Sequence, residues 1–252
     1  LVVKYLANLD SIDLTSTTED GETLLHIALD QYTIKLDIVK FLISLDKIDL
    51  NAKQKGWRSD KYTILHTACN RSNFEVIKYL TELKGLDLKA KDGSGNNALH
   101  IACKEGDLEI VKHLVSLKVY DLKDKNDNDQ NYLHLACESG KLNVVKYLVG
   151  LKKIDVKEVD NEDKSILNFA FESKNLDLID YIISLKGIDL AAVDTSDKTY
   201  LHVACEAGLL DVVKLLVESK KIKNDAKDED GKTMLFYACD SDNLDLVKYV
   251  AS

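Results

Sequence analysis

Histidine and cysteine recur together along this chain at a spacing that two kinds of chemistry could use. Four pairs stand three residues apart, on one face of a predicted helix: His66 and Cys69, His100 and Cys103, His134 and Cys137, and His202 and Cys205. A cysteine beside a histidine could act as a nucleophile, and several pairs in a row could bind metal ions. Both kinds of site compete with a purely structural role for the same residues.

The structural role is favoured because the pairs return together with the residues around them. A fifth cysteine, Cys239, occupies the same place, and each of the five follows an alanine. Small residues that repeat because a whole unit repeats are typical of a packed helix face. Equivalent residues of stacked units lie about 10 Å apart, beyond the ~7 Å limit for a disulfide. We predict no catalytic residue, metal site, cofactor or disulfide, and the unpaired thiols indicate a reducing compartment such as the cytoplasm.

Two further segments begin like ligand sites and then depart from the pattern. The run that starts at Asp124 opens like a calcium loop, but Asp129 stands where glycine is needed and Leu135 where a bidentate glutamate belongs. The segment DGSGNN at Asp92 is too short to cradle a phosphate. We therefore interpret both segments as loops between repeated helices.

Composition narrows the class of partner. The 252 residues carry 43 acidic and 34 basic side chains, for a net charge of −9. Nucleic-acid binders need a basic face to neutralise phosphates, so we expect no nucleic-acid partner, and a basic protein segment is the better electrostatic match. No apolar run approaches the ~18 residues of a membrane span. The opening LVVKYLANLD is typical of the second half of a repeat, and we expect a piece of a longer protein.

An internal repeat is the strongest signal in the sequence. A leucine marks the same position in seven units: Leu25, Leu65, Leu99, Leu133, Leu167, Leu201 and Leu235. An alanine follows three residues later in every unit, and a histidine follows the leucine directly except at Asn168 and Phe236. The interval is 40 residues once and 34 residues five times, so six extra residues enter between the first two of these units.

The sequence of each repeat predicts two short helices joined by a polar turn. The segment NALHIACKE places small and apolar residues on one face, and LEIVKHLVSL repeats apolar residues with the helical period. One such pair cannot bury its own apolar face, so we predict an all-α, continuous solenoid of stacked helix-turn-helix repeats with hairpin-like finger loops. Four residues are predicted to cap the second helices: Asn73, Asp107, Asn175 and Asn243. We place repeats at 15–54 (with the insertions), 55–88, 89–122, 123–156, 157–190 and 191–224, flanked by truncated repeats at 1–14 and 225–252.

These residues resemble the ankyrin repeat family over essentially the whole chain. The resemblance lies in segments such as DGETLLHIAL and DKTYLHVACEAG, followed by helices like LDVVKLLV. It implies two antiparallel helices and a protruding finger in each repeat, and a histidine that ties its turn to the adjacent repeat through hydrogen bonds. The sequence departs from the family in lacking proline before Leu-His and in its period of 34 instead of about 33.

We therefore expect a non-catalytic scaffold that binds a protein partner through its concave face and finger loops. The alternative is a regulatory or tethering module of a larger enzyme or channel. The acidic finger residues either form a negative ridge for a cationic partner or simply form solvated turns. The predicted ridge consists of Asp127, Asp129, Glu158, Asp160, Glu162, Asp163, Asp228, Glu229 and Asp230. The candidate partner-binding residues are Trp57, Arg58, Lys61, Tyr62, Asp127, Asp129, Asp160, Glu162, Asp163, Asp197 and Asp230.

The enlarged finger at residues 51–62 is predicted to make the most specific contact. It contains four of the six extra residues and the only tryptophan of the chain, Trp57, next to Arg58. Tryptophan and arginine are the residue types most enriched at interface hot spots. The alternative is that Trp57 folds over the neighbouring finger as a local lid. Trp57→Ala distinguishes the two: a contact residue costs ~2 kcal/mol or more of binding, whereas a lid residue costs stability.

Overall fold

The computed structural model describes residues 13–30, 35–45, 47–54 and 61–252. Within these ranges there are fourteen helices and no strand, so the predicted all-α fold is confirmed. The chain divides into two compact units, Leu1–Asn128 and Asp129–Ser252. No helix in the described ranges is long and apolar enough to cross a membrane.

In the first unit, the described helices form three pairs. The first helix of each pair packs on the first helix of the next, α1 on α3 and α3 on α5, and the second helices do the same, α2 on α4 and α4 on α6. The six helices are α1 (Leu24–Leu29), α2 (Leu36–Ile43), α3 (Ile64–Asn70), α4 (Phe74–Thr81), α5 (Ala98–Glu105) and α6 (Leu108–Ser116).

In the second unit, four pairs follow the same plan. The first helices form a row in which α7 packs on α9, α9 on α11 and α11 on α13, and the second helix α10 packs on α12. The eight helices are α7 (Tyr132–Glu138), α8 (Leu142–Gly150), α9 (Ile166–Ser173), α10 (Leu176–Ser184), α11 (Tyr200–Glu206), α12 (Leu210–Glu218), α13 (Met234–Asp240) and α14 (Leu244–Val250).

The helices begin where the sequence offers a capping side chain. All four predicted caps of second helices are confirmed, because each side-chain oxygen accepts a backbone N–H from the first turn: Asn73, Asp107, Asn175 and Asn243. Such a cap contributes about 1 kcal/mol to a helix of this length. Two of these asparagines also bind the preceding repeat, since the Nδ2 groups of Asn175 and Asn243 donate to the carbonyl oxygens of Gly140 and Gly208 at 3.0 and 2.9 Å.

The repeated leucine and alanine lie in the core of each unit, except that Leu235 in α13 is 37% exposed. Leu99 and Ala102 are at most 1% exposed in the first unit, and Leu167 and Ala170 are fully buried in the second. Alanine leaves room for the neighbouring first helix to approach closely, which explains its presence in every repeat. In each unit, the row of first helices therefore uses its buried face for stacking.

Candidate protein-binding surface

Within each of the two units, motif histidines link one repeat to the next. Nδ1 of each ring accepts the backbone N–H of the residue three positions earlier, so Nε2 carries the ring proton and donates it. The resulting cross-repeat bonds are 3.1–3.2 Å long: His26 to the carbonyl of Tyr62, His66 to Asn96, His134 to Glu158, and His202 to Ala226. This confirms the linking role that the ankyrin resemblance implies.

Burial favours the neutral form of three of these imidazoles. It lowers the pKa of His26, His66 and His202 below the usual value, and it outweighs the carbonyl contacts that favour the protonated ring. With Nδ1 accepting one hydrogen bond and Nε2 donating another, neither nitrogen of these three rings is left to act as a base on a substrate.

Burial disfavours the nucleophilic thiolate form of four of the repeated cysteines. Burial raises the pKa of Cys69, Cys103 and Cys137 far above the ordinary value, and raises the pKa of Cys205 to about 12. All five cysteines are free, and Cys239 alone among them is exposed. In the part of the chain that the structure describes, no group of three or more His, Cys, Asp or Glu side chains is placed to hold a metal ion.

Acidic residues at the start of the fingers hold the turns together. The Oδ1 atom of Asp160 accepts the backbone N–H groups of Glu162 and Lys164 at 2.9 and 2.8 Å. Asp228 accepts the N–H of Lys232 at 2.8 Å and the hydroxyl of Tyr237. Both aspartates are only 7% exposed, so their carboxylates are committed to the fingers that contain them.

At the tips of the fingers, the backbone adopts the left-handed conformation. Asp129, Asp163 and Asp197 have φ between 57° and 60°, and Lys61 has φ of 44°. Glycine takes the same position in three other fingers, at Gly21, Gly95 and Gly231, with φ of 74° to 77°. Aspartate tolerates this conformation better than most residues, which gives these three candidates a local structural reason to be present.

The other described candidates also have partners within the chain. The ring of Tyr62 stacks on His66 with centroids 5.8 Å apart. Glu162 pairs with Lys164 at 3.1 Å, and this lysine also reaches Glu172 in α9 at 3.5 Å. Asp230 pairs with Lys232 at 3.1 Å. Trp57 and Arg58 lie outside the described residues, so the prediction for the enlarged finger stays a prediction.

Ion pairs with lysine neutralise two members of the predicted acidic ridge, Glu162 and Asp230. Two other members make hydrogen bonds to uncharged groups: in the first unit, the backbone N–H of Asp127 donates to the carbonyl of Ser94 at 3.0 Å, and in the second unit Glu158 accepts the Nδ2 group of Asn131 at 3.3 Å. Among the acidic finger residues predicted to meet a partner, four of the second unit are exposed and have no ion-pair partner among the described residues: Asp129, Asp163, Asp197 and Glu229. A cationic partner could reach these carboxylates directly.

The repeat that contains Asn168 lacks the histidine link. At Asn168 the shorter side chain turns back into its own repeat, where Oδ1 accepts the N–H and the hydroxyl of Ser165 at 3.1 and 2.8 Å. The hydroxyl of Tyr200 meets the Oγ atom of Ser165 at 2.8 Å. A cavity of ≈ 360 Å³ lies here, between the finger before α9 and the finger before α11.

Two valines at this cavity were missed by the sequence analysis. Val159 and Val193 are 38% and 52% exposed, and each lines the cavity. They stand 34 residues apart, at a finger position where four other fingers have lysine: Lys53, Lys91, Lys125 and Lys227. This exchange of lysine for valine is the signal in the sequence that could have revealed them.

The lysines at this position connect fingers in the first unit. The Nζ atom of Lys53 donates to the carbonyl of Lys91 at 2.9 Å, and that of Lys91 donates to the carbonyl of Lys125 at 3.1 Å. A valine side chain cannot make this bond. Consequently the fingers on either side of Asn168 lack both the histidine link and the lysine link at the same place.

Comparison with known proteins agrees with the repeat architecture. The family model described as "Ankyrin repeats (3 copies)" matches residues 35–126, 99–194 and 167–252. The chain is also similar to alpha-latrocrustotoxin-Lt1a of Latrodectus tredecimguttatus, with 42% identity over 55 residues, which is 22% of this chain and 4% of that protein. The family matches extend from residue 35 to residue 252 and so include the described helices from α2 onward and the linking histidines His66, His134 and His202. This chain belongs to the ankyrin repeat family.

Proposed function

We propose that the chain is a non-catalytic scaffold that binds a protein partner along the fingers and the concave face formed by its first helices. Ankyrin repeats generally mediate protein–protein interaction. The observation that carries the proposal is that the groups with catalytic potential serve the fold, whereas the finger tips are exposed and differ in sequence. The buried thiols, and the neutral imidazoles that each make two hydrogen bonds, stabilise the stack and supply no activated nucleophile.

We further propose that the partner presents a basic segment. The net charge of −9 favours a cationic partner over a nucleic acid. Asp163, Asp197 and Glu229 supply exposed carboxylates that no described lysine or arginine neutralises. Because the five cysteines are unpaired, the proposed setting is the cytoplasm or another reducing compartment.

Two triple variants test this function. Their affinities are compared for the protein that the chain captures from extracts of its source. The finger variant carries Asp163→Asn, Asp197→Asn and Glu229→Gln; asparagine suits the left-handed tips, so charge is removed without added backbone strain. The control variant removes three exposed charges from second helices through Asp177→Asn, Asp180→Asn and Asp211→Asn.

The finger variant should bind the partner more weakly than the control, by roughly 0.2–1 kcal/mol for each lost pair, and its affinity should depend less on salt. Equal affinities for both variants, together with salt-independent binding, contradict the basic-segment proposal. Failure of the chain to retain any protein contradicts the scaffold function itself.

A second candidate function is that of a regulatory or tethering module within a larger enzyme or channel. The observation that favours it is the similarity to a segment that makes up 4% of alpha-latrocrustotoxin-Lt1a, which shows related repeats inside a much longer protein. Capture of partners with the full-length protein separates the two functions. A tethering module retains another domain of its own protein, whereas a free-standing scaffold retains a separate protein.

A further inference from the structure

The cavity beside Asn168 results from three departures from the repeat, all at one place. Histidine is replaced by asparagine at position 168, and lysine is replaced by valine at positions 159 and 193. Each exchange removes a side chain that elsewhere links neighbouring repeats or fingers. What remains is an opening of ≈ 360 Å³, near the low end of the ~300–1,000 Å³ range of small-molecule pockets. That size suits one large side chain better than a cofactor.

The walls of the cavity are apolar on two sides and acidic at the rim. Val159 and Val193 face it from the two fingers, and Asp163 and Asp194 line it as well. The carboxylate of Asp163 has no ion-pair partner among the described residues, and the Oδ1 atom of Asp194 accepts two backbone N–H groups, from Ser196 and Lys198, at 2.9 Å. Both carboxylates therefore add negative charge to an opening lined partly by hydrocarbon.

The one lysine that lines the cavity is engaged elsewhere. The Nζ atom of Lys198 lies 3.3 Å from the carboxylate of Glu206 and 4.7 Å from the centroid of the Tyr237 ring. This leaves the local charge near Asp163 and Asp194 uncompensated. An apolar occupant would desolvate these carboxylates without replacing the lost hydrogen bonds, which is unfavourable.

We propose that this cavity receives an arginine side chain from an extended segment of the protein partner. The inference rests on the proposed scaffold function and names the residue that the partner inserts. The methylene stem of arginine packs between Val159 and Val193, and its planar guanidinium donates to Asp163 and Asp194. Arginine fits better than lysine because it is more weakly hydrated and can bind a carboxylate through two parallel hydrogen bonds.

A titration with Nα-acetyl-L-arginine amide tests the proposal without knowledge of the partner. Backbone amide resonances of the ¹⁵N-labelled chain are followed, with the isosteric but neutral Nα-acetyl-L-citrulline amide as the matched probe. Saturable shifts should cluster at Asn168, Val193 and Thr195 with the arginine probe, and be at least tenfold weaker with citrulline. Shifts that are scattered over the acidic surface, or equal for both probes, overturn the inference. Equal response to Nα-acetyl-L-lysine amide overturns the choice of arginine.

A variant that restores the motif histidine at position 168 tests the arginine site directly. Asn168→His should refill the cavity and still fold, because histidine occupies the equivalent positions 134 and 202 of the same unit. The matched control is Phe236→His, which restores the motif in α13, away from the cavity. The arginine-probe affinity should fall at least tenfold in the first variant and stay unchanged in the second. Unchanged affinity in Asn168→His overturns the proposal, with native helicity showing that the variant is folded.

The failure of this inference and the failure of the scaffold function give different results. If the natural partner binds Asn168→His as tightly as the unmodified chain, the arginine site is wrong and the scaffold function stands. If the natural partner binds the unmodified chain but loses affinity on Asn168→His, and on citrulline replacement of one of its arginines, the site is supported.

Discussion

Replacement of His202 by leucine should show how much one cross-repeat link contributes to stability. The ring is 1% exposed, its Nδ1 atom accepts the N–H of Thr199 at 3.0 Å, and its Nε2–H donates to Ala226 at 3.2 Å. The ring also packs against Tyr237, with centroids 5.4 Å apart. Leucine has a similar bulk and forms neither hydrogen bond.

The cost follows from the two bonds and from what they leave behind. Each bond contributes about 0.5–1.5 kcal/mol, and a buried group without a partner costs ~1–3 kcal/mol. We therefore expect His202→Leu to lower the free energy of unfolding by about 2–4 kcal/mol. Asn168→Leu is the control, because Asn168 has the same register but bonds only within its own repeat, at a half-buried site where water can replace its contacts. It should cost about 1 kcal/mol.

Urea unfolding followed by circular dichroism measures both costs. Because a repeat array can unfold in segments, native-state hydrogen exchange should accompany it. In His202→Leu, amide exchange should accelerate first in α11 and α13, the helices whose repeats the link joins. If His202→Leu costs no more than Asn168→Leu, the histidine is not the link that we describe.

Three further outcomes follow from single features of the structure. Gly231→Ala should destabilise the second unit by ~1–2 kcal/mol, the cost of left-handed strain in a position with open space around the added Cβ. Gly95→Ala should destabilise the first unit by clearly more, because a Cβ at Gly95 meets the backbone and side chain of Asp127 in the next finger. Equal losses of stability in thermal melts contradict this. The free energy of unfolding should have its full value above pH ~6.5 and decline as the pH falls below it. Burial lowers the pKa of His66 and His202 in the folded chain, so the unfolded chain binds protons at a higher pH than the folded chain does. A free energy of unfolding that stays constant between pH 7 and 5 contradicts this. Alkylation by iodoacetamide should modify Cys239 quickly and the other four cysteines only on unfolding, so uniform labelling in mass spectra refutes the assignment of buried thiols.

Most of the fold was predictable because the repeat shows each local rule several times. The four second-helix caps and the buried leucine could be read from position alone, since capping and periodicity act within a few residues. The left-handed tips at Asp129, Asp163 and Asp197 were not predicted, although aspartate at a turn is compatible with them. Backbone angles depend on how the finger closes, which a residue count does not give.

The cavity could not be predicted from any one repeat. The replacement of the motif histidine by Asn168 is visible in the sequence. The cavity that results from it, however, also depends on Val159 nine residues earlier and on Val193 twenty-five residues later. Only the stacking of neighbouring fingers brings the three positions together. The exposed valines were overlooked because isolated surface valines are common and need no explanation by themselves.

Site-specific photo-crosslinking tests most directly whether the fingers bind a protein. A benzophenone amino acid replaces either Val193, a 52% exposed finger residue, or Asp211, whose side chain is 73% exposed on second helix α12. The two proteins are illuminated in extracts of the source under identical conditions, and adducts are identified by mass spectrometry. If the fingers bind the partner, we expect one dominant protein adduct from position 193 that is absent or many times weaker from position 211. An adduct that forms from position 211 alone, or equally from both positions, contradicts it.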